Sequence, residues 1–284
     1  MKNIIMRILL ISVSLYLISC GNDHADAPKA TTGQIKINFD NVVGSSQLVL
    51  DKEYTNSHGE KYKVDILKYY ISNICLKKAD GLWYTHLQDS SYFLIDESHG
   101  TYVNLNNVPF DTYSELKFTV GVDSLRSTMD ASKRKGVLDP AEGMYWSWNS
   151  GYIFLMMEGT SPSVSVSGVH TTSGSHHQRV ESEGRYRFHI GGFGGYSSKT
   201  INNLRSTTLA MPNGATVSGT NTPSIHLIVD VAKVFYGTHD VKLATNSVVM
   251  FNEFSANVAN NYIKMFTFDH LHNETPVKNS SHSH

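Results

Sequence analysis

From Gly33 onward, apolar side chains recur at every second position between polar turns, a period that sends alternate residues to opposite faces of an extended chain. The recurring residues are largely β-branched or aromatic, types that suit a pleated, half-buried surface. Strands are expected over 33–41, 62–77, 83–86, 91–96, 114–120, 144–158, 184–190, 207–210, 224–235 and 262–268. Amphipathic helical spacing is scarce, and its best candidate is 124–132, with Asp123 placed to cap the N-terminus. The expected fold class is therefore mainly β: an antiparallel β-sandwich with long loops and few short helices. Those loops are 161–180, rich in Ser, Gly, Thr and His, and 212–223, polar and glycine-containing.

One segment stands apart within this pattern. Two of the three tryptophans, Trp146 and Trp148, lie two residues apart between Gly143 and Gly151. In an extended strand they share a face with Met144, while Tyr145, Ser147 and Asn149 take the other. Residues 152–157 are apolar on both faces, so the strand is expected to run on into the interior as a central strand. Such an aromatic face can be core, a ligand platform or an oxidisable site.

The N-terminus bears on compartment. Lys2 and Arg7 precede an apolar stretch, 8–18, followed at once by Leu17-Ile18-Ser19-Cys20, which looks like a bacterial lipoprotein signal with diacylglycerol on Cys20. The apolar run is short for a spanning helix. The expected organisation is a signal peptide at 1–19, a flexible tether at 20–32, one β-sandwich domain at 33–273 and a disordered tail at 274–284. The protein is then an outer-membrane or cell-surface lipoprotein facing the periplasm or the exterior. With Cys20 lipidated, Cys75 is the one thiol left, so stability has to come from the core or from bound metal.

Charge narrows the partners. The 24 basic and 25 acidic residues leave no dominant basic patch, which argues against nucleic acid. The sequence holds no G-x-S-x-G elbow, no H-E-x-x-H, no C-x-x-C and no phosphate loop, so no enzyme activity is expected. Asp139 and Glu142 offer carboxylates for calcium or for acid and base roles. Asp-Pro and Glu-Gly also read more simply as turn dipeptides.

The 14 histidines matter by placement. His189 shares the polar face of its strand with Arg185 and Arg187 and stands just before a glycine-rich turn. His226 lies opposite Ile225, Leu227 and Val229, and His270 and His272 form an H-x-H pair able to reach one metal from one face. Any single one of these also reads as a hydrogen-bonded surface or core histidine. His170, His176 and His177 fall in the 161–180 loop, and His282 and His284 in the tail.

Taken together, these segments resemble the MbnP-like family of exported copper-binding proteins, related to MopE and CorA. The matching pieces are 67–74 (LKYYISNI), 92–96 (YFLID), 118–123 (FTVGVD), 138–140 (LDP), 143–152 (GMYWSWNSGY), 158–159 (EG) and 188–192 (FHIGG), in order along most of the chain. The W-x-W-x-x-G-Y element is the specific one. The resemblance implies a copper ion held by histidines together with a tryptophan oxidised to kynurenine by a partner dihaem peroxidase-like enzyme of the MauG/MbnH type. It puts His189 first among the ligands, with His226, His270 and His272 as candidates for the second, and Trp146 or Trp148 as the oxidised residue. The alternative is a lipid-anchored β-sandwich binding glycan or protein through exposed aromatics.

Overall fold

The computed structural model describes residues 30–146, 151–165 and 184–274. Contacts divide the chain after Ala30, and every element below lies in the unit Thr31–His284. The principal strands are β1 (Thr32–Val43), β2 (Lys61–Lys78), β3 (Tyr102–Pro109), β4 (Asp111–Val120), β5 (Gly151–Thr160), β6 (Arg185–Gly191), β7 (Arg205–Val217), β8 (Thr222–Asp230) and β9 (Phe266–Glu274), with a helix α1 at Ser255–Tyr262. They form two sheets. One orders β9-β8-β1, with β3 and the short strand Ser46–Gln47 also pairing β1; the other orders β7-β4-β2-β5-β6 and ends on Val248–Val249. The mainly-β sandwich expected from the period is what the chain forms. Pairing is antiparallel except that β1 runs parallel to β8, and β6 to Val248–Val249.

Alternation builds the core between the sheets. Ile35, Ile37 and Phe39 of β1 and Ile225, Leu227 and Val229 of β8 face inward against Tyr69, Ile71, Phe118, Phe188 and Ile190 of the other sheet, all of them buried. Phe39 meets Tyr69 and Phe118 edge-on, each at 6.2 Å, contacts worth about 0.5–1.5 kcal/mol beyond area burial. The far face of the large sheet is covered too. Tyr70, Tyr152, Phe154 and Met156 pack there under Val122, Leu138, Met144 and Trp146, and Tyr152 Oη donates to the Leu138 carbonyl at 2.7 Å. This explains why β5 is apolar on both faces: it is central, between β2 and β6, with a layer on either side.

Three expectations are corrected and one strand is added. The tryptophan segment is not one strand from 144 to 158: Tyr145–Trp146 pairs antiparallel with Gly151 and Tyr152, so the chain doubles back between 146 and 151, and Trp148 lies outside the described residues. Period gives the facing of residues but not where an antiparallel partner begins, so it does not register this pairing. The 212–223 loop is mostly strand, because a register shift between Ala210 and Ala215 absorbs Pro212 and Gly214 without ending the β7–β4 pairing. The last strand begins at Phe266, after α1 and a turn of 3-10 helix, rather than at 262. β3 was hidden by its asparagines. Asp123 does cap the helix Ser124–Ser127, accepting from Arg126 N at 3.2 Å.

Candidate metal centre

The outer face of the small sheet carries the histidines. On β8, burial alternates, so Ile225 and Leu227 enter the core and His226 points away from it. Its parallel neighbour β1 sets Asn38 beside His226, with Asp40 next along the same face. On the other side β9 runs antiparallel, with His270 opposite His226 and His272 opposite Ser224.

A bulge decides which way these two point. Pairing steps from His226 with His270 directly to Leu227 with Phe268, leaving Asp269 as the extra residue. Strict alternation from Phe266 and Phe268, which pack on the core, carries His270 and His272 inward as well. The extra residue reverses the phase: Leu271 packs inward and both histidines turn out to solvent.

Three imidazoles thereby converge. One ring nitrogen from each of His226, His270 and His272 lies within 4.8 Å of the others. The rings of His226 and His270 stack at 4.3 Å and 12°, so one of them has to tilt before both offer in-plane lone pairs to a single ion, and His272 stands edge-on to His270 at 4.8 Å. His226 Nδ1 is 3.1 Å from Asp40 Oδ2, and its Nε2 is 3.2 Å from Asn38 Nδ2. A carboxylate only accepts, so Nδ1 carries the proton of the neutral ring and Nε2 accepts from the amide. His270 Nδ1 is likewise 2.7 Å from Asp269 Oδ2. Imidazole nitrogens without sulfur suit Cu(II), Zn(II) or Ni(II), so this donor set fits copper.

His189 does not join them. It alternates with the buried Phe188 and Ile190 on β6, so it leaves the core through the large sheet, on the side of the sandwich opposite His226. There its Nε2 is 2.8 Å from Glu158 Oε1, and Arg185 Nη2 reaches Glu158 Oε2 at 3.3 Å. Burial alone pushes the Glu158 carboxyl up, but the hydrogen bond and charge of His189, with Arg187 and Arg185, outweigh it and hold it below its ordinary value. A carboxyl depressed in the fold adds stability above its unfolded value, about 4.3, that is lost as pH falls through the folded one. Glu158→Ala removes the carboxylate that His189, Arg185 and Arg187 share, while Arg185 keeps Asp65 at 2.9 Å, and is expected to cost about 2–3 kcal/mol in urea unfolding at pH 7. A loss under about 1 kcal/mol would mark the cluster as ordinary solvated pairing.

Trp146 packs on that same outer face of the large sheet. Its indole lies over Gly191, where an added Cβ would stand 2.6 Å from the ring, and Phe251 meets it edge-on at 6.1 Å. Trp146 is 6% exposed, so it presents no platform to a sugar. A cavity of about 180 Å³ opens beside it, walled by Phe193, Phe251 and Tyr196. Asp139 accepts from Ala141 N at 2.9 Å as the cap of the turn Pro140–Glu142, which is the turn reading of that dipeptide. Cys20, His170, His176, His177, His282 and His284 lie outside the described residues.

The residues missed from sequence are the carboxylates. Asp269 had a signal, standing directly before the H-x-H pair. Asp40 had none, because it meets His226 across 186 residues through a parallel pairing. In the sequence Glu158 stands out only as part of the Glu158-Gly159 pair.

A family model described as MbnP matches residues 32–251. Among solved structures, MbnP from Methylosinus trichosporium is similar over 79% of this chain and 82% of that chain, with a TM-score of 0.51 and 15% sequence identity, a likeness of fold. The comparison with curated proteins gives no match. The matched span includes His189 and His226 and stops before His270 and His272.

Proposed function

The chain belongs to the MbnP family, and from that premise we propose that it is an extracytoplasmic copper-binding protein whose ion is held by His226, His270 and His272. The supporting observation is the convergence of three imidazoles from two paired strands, with ligand nitrogens within 4.8 Å. The family resemblance supplies copper, and the donor chemistry admits it. Copper here is cargo that the protein acquires, stores or delivers; the chain itself performs no catalysis. Diacylglycerol on Cys20 anchors it to a membrane, facing the periplasm or the exterior.

Trp146 lies on the other side of the sandwich. A partner dihaem enzyme oxidises Trp146 or Trp148 to kynurenine with dioxygen as the oxidant: dioxygen cleaves the indole C2–C3 bond, water then releases C2 as formate, and an aromatic amine and a carbonyl are left exposed. The triad needs none of this. Protein purified from a host without the dihaem partner is therefore expected to retain one Cu(II) per chain, measured by elemental analysis after gel filtration. Neutral imidazoles are required, so retention weakens below about pH 6. Unmodified protein that emerges free of copper, or a retention curve flat down to about pH 4, contradicts the assignment.

A further inference from the structure

Two of the three imidazoles have Nδ1 against a carboxylate, His226 at 3.1 Å from Asp40 and His270 at 2.7 Å from Asp269. We infer that Asp40 and Asp269 are the positioning residues of the triad, fixing Nδ1 of His226 and His270 so that Nε2 of each is the ligand atom, and matching the site to a divalent ion. The inference rests on the metal assignment proposed above. A ligating histidine commonly donates its second ring N–H to a carboxylate, which sets the tautomer, stops the ring turning and raises the basicity of the ligand nitrogen. Asp40 comes from β1 and Asp269 from the bulge of β9, so the two pairs arise from independent elements. A surface histidine without a task is ordinarily content with water.

Charge points the same way. Three neutral imidazoles bring none, whereas the two carboxylates behind them bring two negative charges, which balance a divalent cation. Asn38 completes the arrangement. Its amide donates to His226 Nε2 at 3.2 Å and to Ser224 Oγ at 2.9 Å, so it occupies the ligand position and keeps a partner when an ion takes its place. The amide hydrogen released from His226 has the Ile225 carbonyl within reach at 3.4 Å.

The test uses the full chain and Cu(II) competed against a chelator of known affinity. Asp40→Asn, which keeps an acceptor but removes the charge, and Asp269→Asn are each expected to weaken Cu(II) about 10- to 100-fold with unchanged stoichiometry. Asp40→Glu is expected to recover part of the loss. Both carboxylates are partly exposed, so melting of the copper-free variants should match the wild type. Pulsed EPR of the copper form supplies a readout that folding does not move: the remote, uncoordinated imidazole nitrogen should change its quadrupole signature in Asp40→Asn. Wild-type affinity in both Asp variants, or a spectrum showing Nδ1 coordination, overturns the inference alone. Wild-type protein that binds no Cu(II) overturns it together with the metal assignment.

Discussion

His226→Ala is expected to weaken Cu(II) binding by more than about 100-fold, beyond what loss of a supporting residue costs, while Trp146→Phe leaves it unchanged. His226 is the hub of the triad, stacked on His270 and edge-on to His272 at 5.5 Å. Without it the two remaining imidazoles share one exposed strand and lose the partner that stands across the pairing from them. The fold should tolerate the change, since His226 faces away from the core between Ile225 and Leu227. Circular dichroism and a melting curve check that, and chelator competition reads the affinity. Trp146 lies on the outward side of the other sheet, so the paired variants separate a triad site from a tryptophan-dependent one. Copper lost in Trp146→Phe and kept in His226→Ala would move the metal to the His189 side of the sandwich.

Among the described glycines, Gly159 is where an added Cβ would meet the shortest contact, so Gly159→Ala should be strongly destabilising. A Cβ at Gly159 would lie 1.8 Å from the Lys63 carbonyl oxygen and 2.8 Å from Tyr186 Oη. The backbone of β2 therefore has to move away from β5, where the pairing already shifts register between Glu158 and Gly159. Tyr186 Oη, which donates to that same carbonyl at 2.9 Å, loses its place as well. A cost above about 4 kcal/mol follows, or about 10 °C or more of melting temperature for a domain this size. Gly44→Ala is the control: its φ is +62° but nothing lies within 4 Å of the added carbon, so about 1 kcal/mol of left-handed strain is all it meets. Equal melting shifts for the two variants would show that β5 and β2 give way easily.

Glu158 and the triad differ in how legible they were. The polar face of β6, with Arg185, Arg187 and His189 in phase, was readable from alternation and stands as read. The carboxylate that ties it together lies across a strand pair, and sequence period says nothing about partners. For the triad, the H-x-H spacing of His270 and His272 was visible and His226 was visibly opposite an apolar face. Their meeting was not. It needs β8 between β1 and β9, and a bulge at Asp269 without which both histidines of β9 point into the core. The tryptophan segment failed for a different reason: a two-residue period was present, but Tyr145–Trp146 pairs antiparallel with Gly151 and Tyr152 instead of running on into β5.

By itself the sequence determined the class of fold, because a two-residue period of β-branched and aromatic side chains buries one face only as a sheet, and two such faces close on each other. It also named the four histidines and the paired tryptophans. The tertiary structure alone decided their grouping. Alternation fixes whether a side chain faces in or out, but which sheet it leaves from depends on long-range pairing, and one extra residue in a strand inverts the answer. That is why His226, His270 and His272 share one outer face with Asp40 and Asp269, and why His189 and Trp146 lie beyond the core on the other.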